Sequence, residues 1–316
     1  METRESSLLV IVLDCHPIFW GRRAGDEKGI HFDKFLESVL VLTNSHLLLD
    51  ARNTVALIAC HTKKSEFLYP AAAQSSEGTQ SSPVNGTPSA SSGNNTTTIV
   101  SAATMVNDGR YEQFQVMNET VKAQLRELVL GIPADSADGS VDSKIEGIQL
   151  TGGLSQALCY IQRSIRQAPA GTVVKPRILV MQASPDAPHS YSDMMNCIFA
   201  AQKASIPIDA CIIEYSSGFL QQASDITGGI YLRIDDTSAL LQYLLFVFLT
   251  DQAARSMLDM PAPKQVDYRA ACFCHRQLVD VGFVCSVCLS IFCQFTPICQ
   301  TCNTHFKLPA LKRKKA

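Results

Sequence analysis

The sequence is short of charge. Asp, Glu, Lys and Arg make up 18% of its 316 residues, and the formal net charge is −2. That balance excludes a strong whole-surface attraction for nucleic acid or membrane. Long apolar runs are also missing. Leu8–Leu13 and Leu244–Leu249 span six residues each, too few to cross a bilayer. The first run also lacks the basic flank and small-residue cleavage site of a signal peptide. A soluble, intracellular protein is expected, and such compartments keep thiols reduced. No glycine-rich turn follows the first apolar run, which leads instead into "DCHPIFWG". Neither G-x-G-x-x-G nor a P-loop occurs, and no G-x-S-x-G elbow. Asp14, His16 and His61 are scattered without a motif, and a structural role is expected for each.

Apolar residues reach 46%, a globular composition, and they are patterned. Leu8–Leu13, Thr54–Cys60, Arg177–Gln182 and Ile208–Glu214 read as buried strands. Phe67–Tyr69 reads as a short strand and "IYLRI" as a last one. Between them Asp33–Leu49 carries Phe35, Leu36, Val39 and Leu40 on one face of a helix. Phe114 to Leu128, Leu154 to Ile165, Met194–Ala204, Phe219–Ile226 and Ser238–Leu249 read as further helices. Thr151 is placed near the second of these helix starts, and Gly228–Gly229 stops the fourth. Alternating strands and helices predict an α/β fold, a mostly parallel sheet with helices on both faces.

Composition divides the chain. An α/β domain is expected over residues 1–255, interrupted by a Ser/Thr/Gly/Asn-rich insertion at 71–98 that cannot bury enough surface to order itself. A linker is expected at 256–267, a cysteine-rich module at 268–306 and a basic tail at 307–316, ending Lys312, Arg313, Lys314, Lys315.

A strand ending in Asp within such an alternation resembles the von Willebrand A family. That family holds magnesium with D-x-S-x-S after the first strand, then a Thr and an Asp from later loops. Hard oxygen ligands of this kind suit a hard cation. Here Asp14 matches the first position, while His16 and Ile18 replace the two serines. Thr151 and Asp186 are the candidates for the later pair. With both serines missing, no tight magnesium site is expected, and Asp14 is expected to organise its loop.

Seven of the 12 cysteines fall within Ala271–Cys302. Cys285-Ser-Val-Cys288 and Cys299-Gln-Thr-Cys302 are two C-x2-C knuckles separated by ten residues. This spacing can supply four thiolates to one tetrahedral zinc. A closed thiolate shell leaves no open position for catalysis, so the metal is expected to be structural. Cys272, Cys274, His275 and Cys293 either form a second site or remain free thiols, and the spacing favours one zinc over two. A cross-braced ubiquitin-ligase module normally includes a central C-x-H-x2-C-x2-C, which is absent. Phe273, Phe283, Phe292, Phe295 and Phe306 are expected to form the module's small core.

Several stretches together are more specific than the fold. "VDYRAACFCHRQLVDVGFVCSVCLSIFC", "NSHLLLD", "ALCYIQR", "IFAAQKASIPIDACI", "LQQASDITGGIYL" and "LLQYLLFVFL" resemble the family of smaller von Willebrand A subunits of general transcription factor IIH. The resemblance implies a nuclear, non-enzymatic core subunit serving RNA polymerase II initiation and nucleotide excision repair. It implies tight pairing with the larger von Willebrand A/zinc subunit and contact with other core subunits of that complex. It also maps the family's four-cysteine finger onto Cys285, Cys288, Cys299 and Cys302. The rival readings are a zinc-dependent RING-like ubiquitin ligase and a direct DNA-binding module using the finger and tail.

Overall fold

The computed structural model of the chain describes residues 4–25, 29–70, 110–130, 148–186, 191–261, 266, 268–275 and 278–306. The expected insertion at 71–98, the basic tail at 307–316 and most of the PAPK stretch in the expected linker lie outside the described residues.

A six-stranded sheet forms the centre. Its strands are β1 (Arg4–Asp14), β2 (Thr54–Cys60), β3 (Ser65–Tyr69), β4 (Thr172–Gln182), β5 (Ile208–Ile213) and β6 (Tyr231–Ile234), in the order β3-β2-β1-β4-β5-β6. All neighbours are parallel except the edge pair β2–β3. Central β1 and β2 have apolar side chains on both faces, as a doubly covered parallel sheet requires. Alternate residues of β1 point to opposite sides. Leu9, Ile11 and Leu13 enter one core with α2 (Phe32–Leu49) and α3 (Arg110–Leu130). Leu8, Val10 and Val12 enter the other, with α4 (Leu150–Gln167), α5 (Tyr191–Lys203) and α6 (Gly218–Thr227). This is the mostly parallel, doubly covered α/β architecture expected from the sequence.

Three local features differ from the pattern-based reading. First, α1 (Pro17–Arg23) follows β1 directly. Its helical start comes from His16, whose Nδ1 accepts from the Phe19 amide at 3.2 Å, with Pro17 next in line, where a missing N–H costs nothing. Second, Ser238–Leu249 is not one regular helix. Thr237–Ala239 is a 3-10 turn, α7 spans Leu240–Tyr243, and Leu244–Phe248 is a π-turn closed by Leu249 N–H donating to the Leu244 carbonyl. Third, the α4 cap position is Gln149, which makes no side-chain cap, and Thr151 lies within the first turn. A short α8 (Gln252–Arg255) follows, capped by Asp251.

The buried Arg177 of β4 explains how the π-turn ends. Its guanidinium donates to the carbonyls of Phe248, Leu249 and Thr250 at 2.6–2.9 Å. It supplies partners to helix-end carbonyls that have none within the helix, and its charge suits the negative end of the helix dipole.

The C-terminal stretch carries two small antiparallel pairs. They are β7 (Ala270–Ala271) with β8 (Leu278–Val279), and β9 (Phe283–Val284) with β10 (Ile291–Phe292). Phe292 is buried, with Phe273 and Phe306 packed against it. Phe283 and Phe295, expected in this core, instead lie on its surface as an edge-to-face pair 5.8 Å apart. The buried positions they would fill are taken by Cys285 and Cys299.

Candidate functional site

Strand order reverses at β1, with β2 on one side and β4 on the other. In open parallel sheets, ligands bind in the crevice beyond the carboxyl ends of the strands at such a point. Asp14 ends β1, and Ala183 and Ser184 follow β4, so these residues occupy that crevice.

The crevice is closed by the chain itself. Asp14 is 1% exposed. Its Oδ1 accepts from the His16 amide at 2.9 Å, and its Oδ2 accepts from the Ala183 and Ser184 amides at 3.0 and 2.6 Å. The Asp14 carbonyl accepts from Trp20 Nε1 at 2.9 Å, and Trp20 packs among Phe19, Phe32 and Phe35. Three amide donors thus meet the carboxylate oxygens that a cation would otherwise approach. Asp186 is also engaged: it accepts from Gln182 Nε2 at 3.0 Å and from Ser217 Oγ at 2.7 Å. Burial pushes its pKa up, opposed by the bonds from Ser217 and Gln182. Ser217 in turn caps α6 by accepting from the Leu220 amide. The Thr151 hydroxyl is buried without a hydrogen-bond partner. His61 Nδ1 lies 3.1 Å from Thr62 Oγ1, its carbonyl accepts from the Gln149 amide at the start of α4, and its pKa is lowered first by burial.

Three core thiols, Cys15, Cys60 and Cys211, are held away from the thiolate form. Burial pushes Cys60 up to about 12 and raises Cys15 and Cys211 as well, whereas reactive cysteines need a stabilised thiolate.

The cysteine-rich stretch is different. Two groups of side chains there could each hold a metal ion: Cys285, Cys288, Cys299 and Cys302, and separately Cys272, Cys274, His275 and Cys293. Within each group the ligand atoms lie within 4.8 Å of one another. In the first group, Cys285 and Cys302 Sγ are 3.6 Å apart, as are those of Cys288 and Cys299. Sulfurs on a tetrahedral zinc stand about 3.8 Å apart, given Zn–S bonds of about 2.3 Å. A disulfide would need about 2.05 Å. Both the distances and the soft donors therefore fit zinc.

The two knuckles repeat one backbone design. In the first, the Cys285 amide donates to the Ser290 carbonyl and the Leu289 amide donates to the Cys285 carbonyl. In the second, Cys299 donates to Thr304, and Asn303 to Cys299. The residue after each second cysteine is left-handed, Leu289 at φ 58° and Asn303 at φ 57°. The next residue places a hydroxyl on that cysteine: Ser290 Oγ lies 3.1 Å from Cys288 Sγ, and Thr304 Oγ1 lies 3.0 Å from Cys302 Sγ. The hydroxyl and amide of Thr304 lower the Cys302 thiol to about 6, and the Ser290 hydroxyl lowers Cys288. Such partners orient ligands and favour the thiolate. Ser290 and Thr304 lie outside the metal-ligand spacing itself. Their signal was legible, a Ser or Thr two residues after each C-x2-C.

Comparisons with known proteins agree over most of the chain. The family Transcription factor Tfb4 matches residues 6–303. The General transcription and DNA repair factor IIH subunit tfb4 of Schizosaccharomyces pombe is 36% identical over 98% of this chain and 91% of its own. The Dictyostelium discoideum General transcription factor IIH subunit 3 is 40% identical, covering 90% of this chain and 71% of its own. The crystal structure of the TFIIH p34 N-terminal domain aligns with a TM-score of 0.55 at 28% identity, covering 76% of this chain and 96% of that one. The match runs through the closed crevice and into the second knuckle, and the chain belongs to the Transcription factor Tfb4 family.

Proposed function

We propose that this chain is a non-enzymatic structural subunit of the core of general transcription and DNA repair factor IIH. In that role it works in the nucleus, in RNA polymerase II initiation and nucleotide excision repair. It does so by docking the larger von Willebrand A subunit and holding other core subunits. The single observation that carries this reading is the family match across residues 6–303, joined to relatives named as subunits of that factor.

The geometry is consistent with a scaffold. Amides meet Asp14 at the crevice where an α/β domain would bind a ligand, so the domain acts through its outer surface and not through a magnesium-dependent contact. We assign a domain to 1–255, a linker to 256–267 and a zinc module to 268–306. A structural zinc on Cys285, Cys288, Cys299 and Cys302 holds that module. Around it Val281, Phe283, Val284, Val287 and Leu289 are exposed. So concentrated an apolar surface on so small a unit suits a second protein contact.

The test is purification of the tagged full-length chain from nuclear extract at moderate salt. Recovery of the other IIH core subunits, the larger von Willebrand A subunit among them, is expected. A chain that elutes free of all of them refutes the reading. Salt-steep binding of bare DNA by the full chain would favour the nucleic-acid alternative.

A further inference from the structure

We propose a second zinc site, formed by Cys272, Cys274, His275 and Cys293, beside the site of the two knuckles. These four residues come from two segments. The Phe273 amide donates to the Ile291 carbonyl at 2.8 Å, so residues 272–275 run alongside the end of β10. Cys274 and Cys293 Sγ are then 3.4 Å apart, and His275 Nδ1 is 3.2 Å from Cys293 Sγ. All four ligand atoms, one imidazole nitrogen and three sulfurs, lie within 4.8 Å of one another. A tetrahedral zinc with bonds of about 2.3 Å to sulfur and about 2.0–2.1 Å to nitrogen needs separations of about 3.5–3.8 Å. The observed pairs are within a few tenths of an ångström of this. The 3.4 Å sulfur pair is too long for a disulfide, at about 2.05 Å. Three cysteines with one histidine is also a donor set of structural zinc sites.

The fold gives this site a task that the first cannot perform. The knuckles close residues 285–302 on themselves. The β7–β8 hairpin lies before them, joined to β10 by the Phe273 hydrogen bond and the Cys274–His275–Cys293 approach. Among the residues of 268–306 whose side chains are described, five are buried: Cys272, Cys285, Ser290, Phe292 and Cys299. Phe292, with the partly buried Phe273 and Phe306 against it, is a small core, and small units of this kind are held by metals or disulfides. Three of those five buried residues are ligands of the two sites. The second metal ties the hairpin to the sheet that the first metal organises.

The ligand order is also not that of a cross-brace. Three ligands of the second site come from the run 272–275, and Cys293 alone falls between the ligand pairs of the first. A ubiquitin-ligase cross-brace alternates pairs, so a second zinc here does not revive that reading.

Metal analysis of the purified full chain, expressed with zinc, is the test. Two zinc ions per chain are expected, falling to one in Cys274→Ser, in Cys293→Ser and in Cys288→Ser. One zinc in the unmodified chain, or two retained by both Cys274→Ser and Cys293→Ser, overturns the proposal and leaves the first site standing. Should a serine variant fail to fold, His275→Cys decides. It is expected to keep two metals and, loaded with cobalt(II), to shift the visible d–d bands as a sulfur replaces a nitrogen. A cobalt spectrum identical to the unmodified protein's overturns the assignment of His275. A Cys274–Cys293 disulfide in the freshly purified, unreduced chain would likewise refute the site.

Discussion

Replacing Asp14 with alanine removes the carboxylate that closes the crevice at the centre of the sheet. The side chain is 1% exposed and accepts from three backbone amides, His16, Ala183 and Ser184. Each buried donor left without a partner costs about 1–3 kcal/mol. Three such losses sum to roughly 3–9 kcal/mol, and shared relaxation of neighbouring groups brings the expected loss to about 3–5 kcal/mol. For a unit of this size that corresponds to a fall in melting temperature of roughly 6–20 °C. Asp14→Asn is a sharper probe. Its carbonyl oxygen can still accept from Ala183 and Ser184, but its NH2 group then faces the His16 amide, donor against donor. A loss of about 1–3 kcal/mol is expected, one bond and not three. The assay is urea unfolding followed by circular dichroism, repeated with magnesium chloride at matched ionic strength. A ligand that binds only the folded state raises stability by mass action, so a magnesium site would show as a shift in the midpoint. No shift is expected. Magnesium stabilisation of the unmodified chain that disappears in Asp14→Ala would refute the closed-crevice argument, as would an Asp14→Ala variant as stable as the parent.

The remaining predictions concern the ends of the sheet. Arg255 pairs with the buried Asp209 through bonds of 2.8 and 2.5 Å, so Arg255→Met removes its ion-pair partner and leaves the Ile230 amide and the more distant charge of Arg177 to compensate; a loss of about 3 kcal/mol, the low end for a broken buried pair, is expected. Adding Asp209→Asn should recover part of that loss, and an unchanged denaturation midpoint in the single variant would contradict it. A Cβ on Gly229 would stand 2.0 Å from the Ile208 carbonyl oxygen, whereas Gly228, at φ 72°, has open space around it. Gly229→Ala should therefore destabilise more than Gly228→Ala, whose cost is limited to about 1–2 kcal/mol of left-handed backbone strain; the reverse order would refute the packing argument. His46 is buried, with the backbone of Ser7 and Thr54 beside its ring. Burial first, then the charge of Arg177, lowers its pKa to about 4, against the opposing pull of the Ser7 and Thr54 backbone. Folding therefore favours the neutral ring. As pH falls from about 6.5 towards 4, the unfolded chain takes up a proton that the folded chain resists, and stability drops by at most about 3 kcal/mol. His46→Leu should flatten that part of the stability–pH curve relative to the parent, and two parallel curves would show that His46 contributes nothing to it.

Much of the architecture was legible because it rests on local pattern. Continuous apolar runs at Leu8–Leu13 and Thr54–Cys60 read as strands covered on both sides, and the intervening periodicity as helices lying on them. The doubled C-x2-C spacing pointed to Cys285, Cys288, Cys299 and Cys302 for the same reason, since a knuckle is local, and the fold gathers these four side chains. What the sequence could not convey depends on approach between distant segments. Helix α1 relies on a histidine acting as cap, an unusual residue for that role. The π-turn is ended by Arg177, some seventy residues earlier in the chain. Phe283 and Phe295 read as core by type alone, but cysteines took the interior. Asp14 could be matched to the first position of a metal-site motif, yet only the fold brings Ala183 and Ser184 onto its second oxygen. The group Cys272, Cys274, His275 and Cys293 has no repeated spacing to announce it. A single strand contact, Phe273 to Ile291, aligns its two segments. Motif spacing reveals side chains that share one turn, whereas side chains from separate strands are brought together only by tertiary packing.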